Sequence, residues 1–137
     1  MAFLSPDNVR YDNGVKICEK IIPDSAVWNR DVKEGGYTYR KGTTYKANRP
    51  LSAIKGVTIH NTGRIKIPNG TTMAEQYTRA TYPNCNMGSV RVHYYVDENE
   101  AWQNLDEGEV GWHAADGNYG PGNSTTIAIE IIMDGTD

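Results

Sequence analysis

The sequence predicts an α/β fold, in which a β-sheet is covered by a helix on one face and is short of helices on the other. Short runs of β-branched and aromatic residues, separated by turn residues, indicate strands. A single run has apolar residues at helical spacing, which indicates one helix. Because strands both precede and follow that helix, the elements fit a layered α/β domain.

Residues 1–50 are expected to form an irregular amino-terminal extension around one strand, since apolar residues alternate over residues 15–22 until Pro23 stops the pattern. Residues 33–42 combine glycines with tyrosines and indicate a hairpin or a loop. No function is predicted for this extension from its residues.

Residues 54–60 form a short β-branched run that ends at a polar loop, so a strand is predicted there. The helix of about ten residues begins near Met73, where Thr72 and Glu75 have the spacing of a capping box, and it ends at Pro83.

The remaining strands are predicted after the helix. Residues 90–96 and 100–104 read as a hairpin with its turn at residues 97–99. Residues 126–133 are too apolar to be half exposed, so they are expected to form a central strand.

The overall composition excludes several classes of partner. The 137 residues suit one domain, and 14 basic against 17 acidic residues give no excess of positive charge, so nucleic acid is not an expected partner. No apolar run approaches the roughly 20 residues that cross a bilayer, so no membrane partner is expected. The amino terminus lacks the pattern of a signal peptide, which predicts synthesis in the cytoplasm without export. Cys18 and Cys85 lie far apart in the sequence, and no disulfide is predicted.

Three histidines are the first candidates for chemistry. His60 comes where a strand gives way to a loop, the place at which α/β sheets present ligands and catalytic groups. His113 follows Trp112 in a glycine-rich loop that can offer its ring to a substrate. His93 alternates with apolar residues on a strand and faces either a cleft or water. For each of them, a structural or surface histidine is the alternative.

Glu130 is the second kind of candidate, because it lies inside an apolar run. Either it faces solvent, or it is buried with a raised pKa and can act as a general base near neutral pH. The sequence has no G-x-S-x-G elbow, no phosphate-binding glycine loop and no H-E-x-x-H helix. Metal-assisted hydrolysis therefore remains.

Four segments together closely resemble the type 2 N-acetylmuramoyl-L-alanine amidases, above all the endolysins and autolysins of Gram-positive bacteria and their phages. These segments are residues 57–62, 92–97, 111–123 and 127–131. The resemblance implies a mixed central β-sheet flanked by helices, as also in the peptidoglycan recognition proteins. It implies a zinc hydrolase that cuts the amide bond between N-acetylmuramic acid and L-alanine, with peptidoglycan as substrate.

The resemblance also assigns roles to residues. His60 matches the first zinc ligand, and Glu130 matches the base that takes a proton from the attacking water. His113 matches a loop residue beside the cleft and is assigned to substrate contact. Trp112, Asn61 and His93 are further predicted substrate contacts. Relatives often have a tyrosine at the position of Val92, and that catalytic role is not carried over.

The family's other zinc ligands would lie beyond Asp137, so residues 51–137 are expected to be a catalytic domain without its carboxyl-terminal part. A wall-binding domain is expected further along the parent protein. Such a lysin would stay in the cytoplasm until its release and then act on the cell wall. The alternatives are an inactive module that only binds peptidoglycan, and a fragment that needs its carboxyl-terminal portion.

Overall fold

The structure is a computed structural model that describes residues 4–65, 73–83 and 88–133. Within these ranges, neither helix is long and apolar enough to cross a membrane. The elements are β1 Asn8–Asp12, β2 Val15–Glu19, β3 Val32–Glu34, β4 Tyr37–Tyr39, β5 Gly56–Ile65, α1 Met73–Thr81, β6 Tyr94–Val96, β7 Ala101–Gln103, α2 Pro121–Thr125 and β8 Thr126–Met133.

Six strands form one mixed sheet in the order β1-β2-β7-β6-β8-β5. The pairs β2/β7, β6/β8 and β5/β8 are parallel, and the pairs β1/β2 and β6/β7 are antiparallel. The predicted α/β fold with a mixed sheet is therefore confirmed. Strand β8 lies inside the sheet, as expected of its apolar sequence, and β5 lies at the edge.

One face of the sheet packs under α1 and forms the main core. Successive strand residues point to opposite faces, so the even-numbered residues of β8 lie on this side. The predicted helix is found, although Thr72 of its capping box lies outside the described residues. The core on this face is made of Cys18, Met73, Ala74, Val92, Tyr95, Trp102, Ala128 and Ile132.

The opposite face is left open near the edge of the sheet. Val57 and Ile59 on β5 are 54% and 56% exposed, and Ile131 on β8 is 44% exposed. The expectation that β8 is too apolar to be half exposed is therefore wrong for this face. A continuous apolar run requires burial on both sides only when elements cover both sides, and the described residues provide such an element for one side alone here.

The described part of the first 50 residues, from residue 4 onward, forms four strands, whereas one strand and a possible hairpin were predicted. The predicted strand is β2, which ends at Glu19. The strand β1 pairs with β2 through a turn at Asn13 and Gly14, which both have positive φ. Asn-Gly is the residue pair that a two-residue hairpin turn favours, so the local signal was present.

The hairpin or loop predicted for residues 33–42 is the hairpin of β3 and β4, closed by Gly35 and Gly36 at positive φ. Behind it lies a second core of Ile22, Trp28, Tyr45 and Leu105. The amino-terminal residues thus add two strands to the main sheet and a separate hairpin beside it. The division of the chain at residue 50 stays a prediction.

Candidate functional site

Three side chains form a row across neighbouring strands on the α1 face of the sheet. His60 on β5 is the register partner of Glu130 on β8, and Glu130 is the register partner of Tyr95 on β6. Register partners on adjacent strands point to the same face, so the imidazole and the carboxylate stand side by side. The row ends at β5, where the covered sheet gives way to an edge.

Glu130 is only partly buried, but its environment disfavours the charged carboxylate. Burial raises the pKa of Glu130, and the neighbouring His60 opposes that rise. The carboxylate oxygen Oε2 is buried and has no hydrogen-bond partner among the described residues. A carboxyl group in this state can accept and return a proton closer to neutral pH than an exposed one.

His113 reaches the same place from the loop between β7 and α2. Its Nδ1 lies 3.1 Å from Nε2 of His60, and the two rings meet edge to face with centroids 5.3 Å apart. Burial first, and the nearby His60 second, lower the pKa of His113 to about 4. The ring is therefore neutral near pH 7, and its buried Nε2 has no partner among the described residues.

The backbone of His113 is fixed by residues to which sequence reasoning assigned no role. Asn123 is buried, and its Oδ1 accepts the N–H groups of His113 and Ala114, each at 2.9 Å. The carboxylate of Asp116 accepts the N–H groups of Gly122 at 2.7 Å and Asn123 at 3.2 Å, and so caps α2. The run of turn residues was visible in the sequence, but the partners of its side chains were not.

Glycines are needed in this loop because its segments approach closely. A Cβ added at Gly120 would lie 2.2 Å from Asp116, and one added at Gly122 would lie 2.5 Å from the Cβ of Ala114. The glycine-rich sequence therefore reflects tight packing of the loop that carries His113.

Trp112 anchors the other side of the loop. Its backbone exchanges two hydrogen bonds with Arg91, at 2.8 and 2.9 Å, and its indole N–H donates to Oδ1 of Asn118 at 3.1 Å. Residues 90–92, predicted as the start of a strand, make only this isolated bridge, so β6 begins later, at Tyr94.

The other two predicted substrate contacts, His93 and Asn61, bond to backbone groups, and their role stays a prediction. His93 is fully buried; its Nδ1 accepts the N–H of Ala128 at 2.9 Å, and its Nε2 donates to the carbonyl of Glu109 at 2.7 Å. Asn61 follows His60 on β5 and therefore points to the opposite face, where its Oδ1 accepts the N–H of Gly63.

The described residues do not form a complete metal site. Among them, no three His, Cys, Asp or Glu side chains are grouped closely enough to hold an ion. A catalytic zinc site needs three protein ligands. Cys18 on β2 is the register partner of Trp102 on β7, away from His60 and Glu130, and burial raises its pKa to about 11. Cys85 lies outside the described residues.

Residues 50–137 match the protein family described as N-acetylmuramoyl-L-alanine amidase. Among curated proteins, the amidase XlyA of Bacillus subtilis (strain 168) is 38% identical over 86 residues, which are 61% of this chain and 27% of XlyA. The amidase CwlH of the same organism is 36% identical over 86 residues, which are 61% of this chain and 32% of CwlH. The chain thus spans less than a third of the length of these relatives.

Solved structures give the same likeness for the fold. The catalytic domain of XlyA has a TM-score of 0.58 at 31% identity, covering 86% of this chain and 61% of that one. A mutant endolysin from Bacillus subtilis has a TM-score of 0.58 at 32% identity, with the same coverage of 86% and 61%.

Proposed function

Because the chain belongs to the N-acetylmuramoyl-L-alanine amidase family, we propose that it serves hydrolysis of the amide bond between N-acetylmuramic acid and L-alanine in peptidoglycan. Its relatives XlyA and CwlH are named for that activity. The observation that carries the proposal is the pairing of His60 with Glu130 on adjacent strands. One carboxylate oxygen of Glu130, Oε2, has no partner among the described residues.

Glu130 is the proposed general base. It takes a proton from water as the water oxygen attacks the amide carbonyl, and it gives that proton to the leaving nitrogen when the C–N bond breaks. Its raised pKa suits this transfer, because a carboxylate with a higher pKa is a stronger base toward water and still returns the proton to the leaving nitrogen.

His113 is the proposed substrate contact beside the base. Its ring is neutral near pH 7 and sits against His60, so it can offer a hydrogen bond without adding charge to the cleft. Trp112 precedes it and supplies a partly buried ring on the same loop. Peptidoglycan is the proposed substrate, and the cell wall is the proposed place of action.

Zinc enters the proposal through the family. We propose His60 as one zinc ligand, with the remaining ligands outside the described residues. Since the described residues supply no group of three ligands, the proposed roles of Glu130 and His113 depend on the contacts of their own side chains.

The proposal is tested with purified cell walls and the natural protein that carries this sequence. Hydrolysis should release new amino groups of L-alanine without new reducing ends. Glu130→Gln should lower that rate by about a hundredfold or more, since the base is lost and the shape is kept. Glu98→Gln, an exposed carboxylate in the turn between β6 and β7, is the matched control and should keep the wild-type rate.

Two results would contradict the proposal. Release of reducing ends would indicate cleavage of the glycan instead of the amide. Sedimentation of the protein with walls, without release of amino groups, would indicate a module that binds peptidoglycan and does not hydrolyse it.

A further inference from the structure

A groove of about 730 Å³ lies between the β3–β4 hairpin and the loop that carries His113. Tyr37 and Tyr39 line it from the hairpin, and Trp112 and Asn118 line it from the loop. His113 lines it as well and also contacts His60, so the groove borders the candidate catalytic row. The hairpin lies outside residues 50–137, to which the family match is confined.

The hairpin side of the groove is held by a stack of rings that reaches into the core. Tyr39 stacks on buried Trp28 at 5.0 Å between centroids, and Trp28 packs on buried Tyr45 at 4.8 Å. The guanidinium of buried Arg91 lies 3.7 Å from the centre of the Tyr45 ring. Tyr37 meets Tyr39 edge to face at 4.7 Å and is 63% exposed, so it presents its ring on a firm support.

The loop side of the groove is equally fixed. The indole of Trp112 is oriented by its hydrogen bond to Asn118. The backbone N–H and carbonyl of Trp112 both form hydrogen bonds with the backbone of Arg91. Aromatic rings therefore stand on both walls before any ligand arrives, which limits the entropy that binding would cost.

The two residues with permanent charges that line the groove, Glu34 and Arg40, bond to neighbouring residues. Oε2 of Glu34 accepts the N–H of Ser89 at 2.8 Å, and Arg40 forms an ion pair with Asp31 at 2.9 Å. The other lining groups are mainly hydroxyls, amides and aromatic rings. A stem peptide would bring carboxylates that this lining does not match, whereas N-acetylated sugars are neutral and combine an apolar ring face with hydroxyl and amide groups.

We propose that this groove binds the N-acetylated sugars of the glycan strand, with one sugar face against Tyr37 and another against Trp112. The identity of the ligand as peptidoglycan glycan rests on the proposed function. The amphipathic rings supply apolar contact, and the hydroxyl and amide groups supply hydrogen bonds. In this arrangement the glycan leads to His113, and the amide bond reaches the row of Glu130.

The test measures binding by the 137-residue chain, with a neutral tetramer of N-acetylglucosamine as one probe and the tripeptide L-alanyl-γ-D-glutamyl-L-lysine as the other. Tyr37→Ala should weaken binding of the tetramer by about tenfold, the loss expected when one stacked ring is removed. The same variant should leave the affinity for the tripeptide unchanged. Tyr11→Ala is the matched control, because Tyr11 is 70% exposed on β1 and does not line the groove.

The inference is overturned if the wild-type chain does not bind the tetramer, if Tyr37→Ala binds it as well as the wild type does, or if Tyr37→Ala weakens only the tripeptide. Circular dichroism and thermal unfolding of both tyrosine variants check that the fold is kept. Glu130→Gln should bind the tetramer normally, so a failure of amide hydrolysis and a failure of sugar binding are separate results.

Discussion

His60, His93 and His113 differ in what the fold leaves available on each ring. The ring nitrogens of His93 are both bonded to backbone groups, and burial lowers its pKa. Nδ1 of His113 meets Nε2 of His60, and Nε2 of His113 has no partner among the described residues. His113 therefore keeps one ring nitrogen without a partner among the described residues, whereas His93 holds the sheet to the loop of Glu109.

Replacement of His93 should therefore affect stability before it affects hydrolysis. We expect His93→Leu to lower the free energy of unfolding by about 2–4 kcal/mol, because it leaves the N–H of Ala128 and the carbonyl of Glu109 buried and unpaired. Urea unfolding followed by circular dichroism measures the change. His113→Leu is the comparison and should cost less, since it removes one contact with His60. Wild-type stability together with lost hydrolysis in His93→Leu would instead make His93 a substrate contact.

Local signals in the sequence predicted His60 and Glu130 as candidates, but they did not show that His93 and His113 have different surroundings. The apolar run around Glu130 is visible in a few consecutive residues, whereas the strand end predicted at His60 is wrong, because β5 continues to Ile65. The partners of His93 are backbone groups 16 and 35 residues away, which no local pattern shows. Asn61 is a different case, because alternation along β5 already places it opposite His60.

At the scale of elements, α2 and the loop before it hold the backbone of His113 in place. Asp116 caps the helix, and Asn123 turns back to hold the N–H groups of His113 and Ala114. The helix has only five residues and would not persist alone, so these side-chain bonds stabilise both parts together. The position of the His113 ring consequently depends on a residue ten positions later in the chain.

Asn123→Ala should remove the two hydrogen bonds that hold the backbone of His113 and Ala114. We expect hydrolysis to fall by about tenfold or more, because small displacements of a catalytic group are costly. NMR titration should show the pKa of His113 rising from about 4 toward its ordinary value as the ring becomes exposed. Asn123→Asp keeps the accepting oxygen and should restore part of the rate. Thr125→Ala in the same helix is the control, and equal losses in both alanine variants would contradict a specific role for Asn123.

Strand pairing shows the limits of sequence reasoning about elements. The strands after residue 53 and the helix were predicted from residue patterns. The Asn13–Gly14 turn joins β1 to β2 in a hairpin that was not predicted. The parallel pairing of β2 with β7 joins residues more than 80 positions apart. Such pairing depends on the whole sheet, and local propensity does not report it.

For the whole molecule, the uneven cover of the sheet decides where the site lies. The helix α1 buries the middle of one face, so Glu130 stands where that cover gives way to the edge strand β5. This position explains why the carboxylate is dry enough to have a raised pKa although the residue is only partly buried. On the other face, Val57 and Ile59 are exposed apolar residues.

The incomplete set of metal ligands among the described residues leads to a prediction for zinc binding. We expect the purified 137-residue chain to hold well below one zinc ion per molecule after dialysis, because the described residues offer His60 and its neighbour His113 but no group of three ligands. Atomic emission measures the metal, and a chelator step separates bound from adventitious zinc. His60→Ala should remove the weak binding that remains, whereas Tyr11→Ala should not. One chelator-sensitive zinc ion per chain would contradict this expectation and would place the missing ligands among the residues that the structure does not describe.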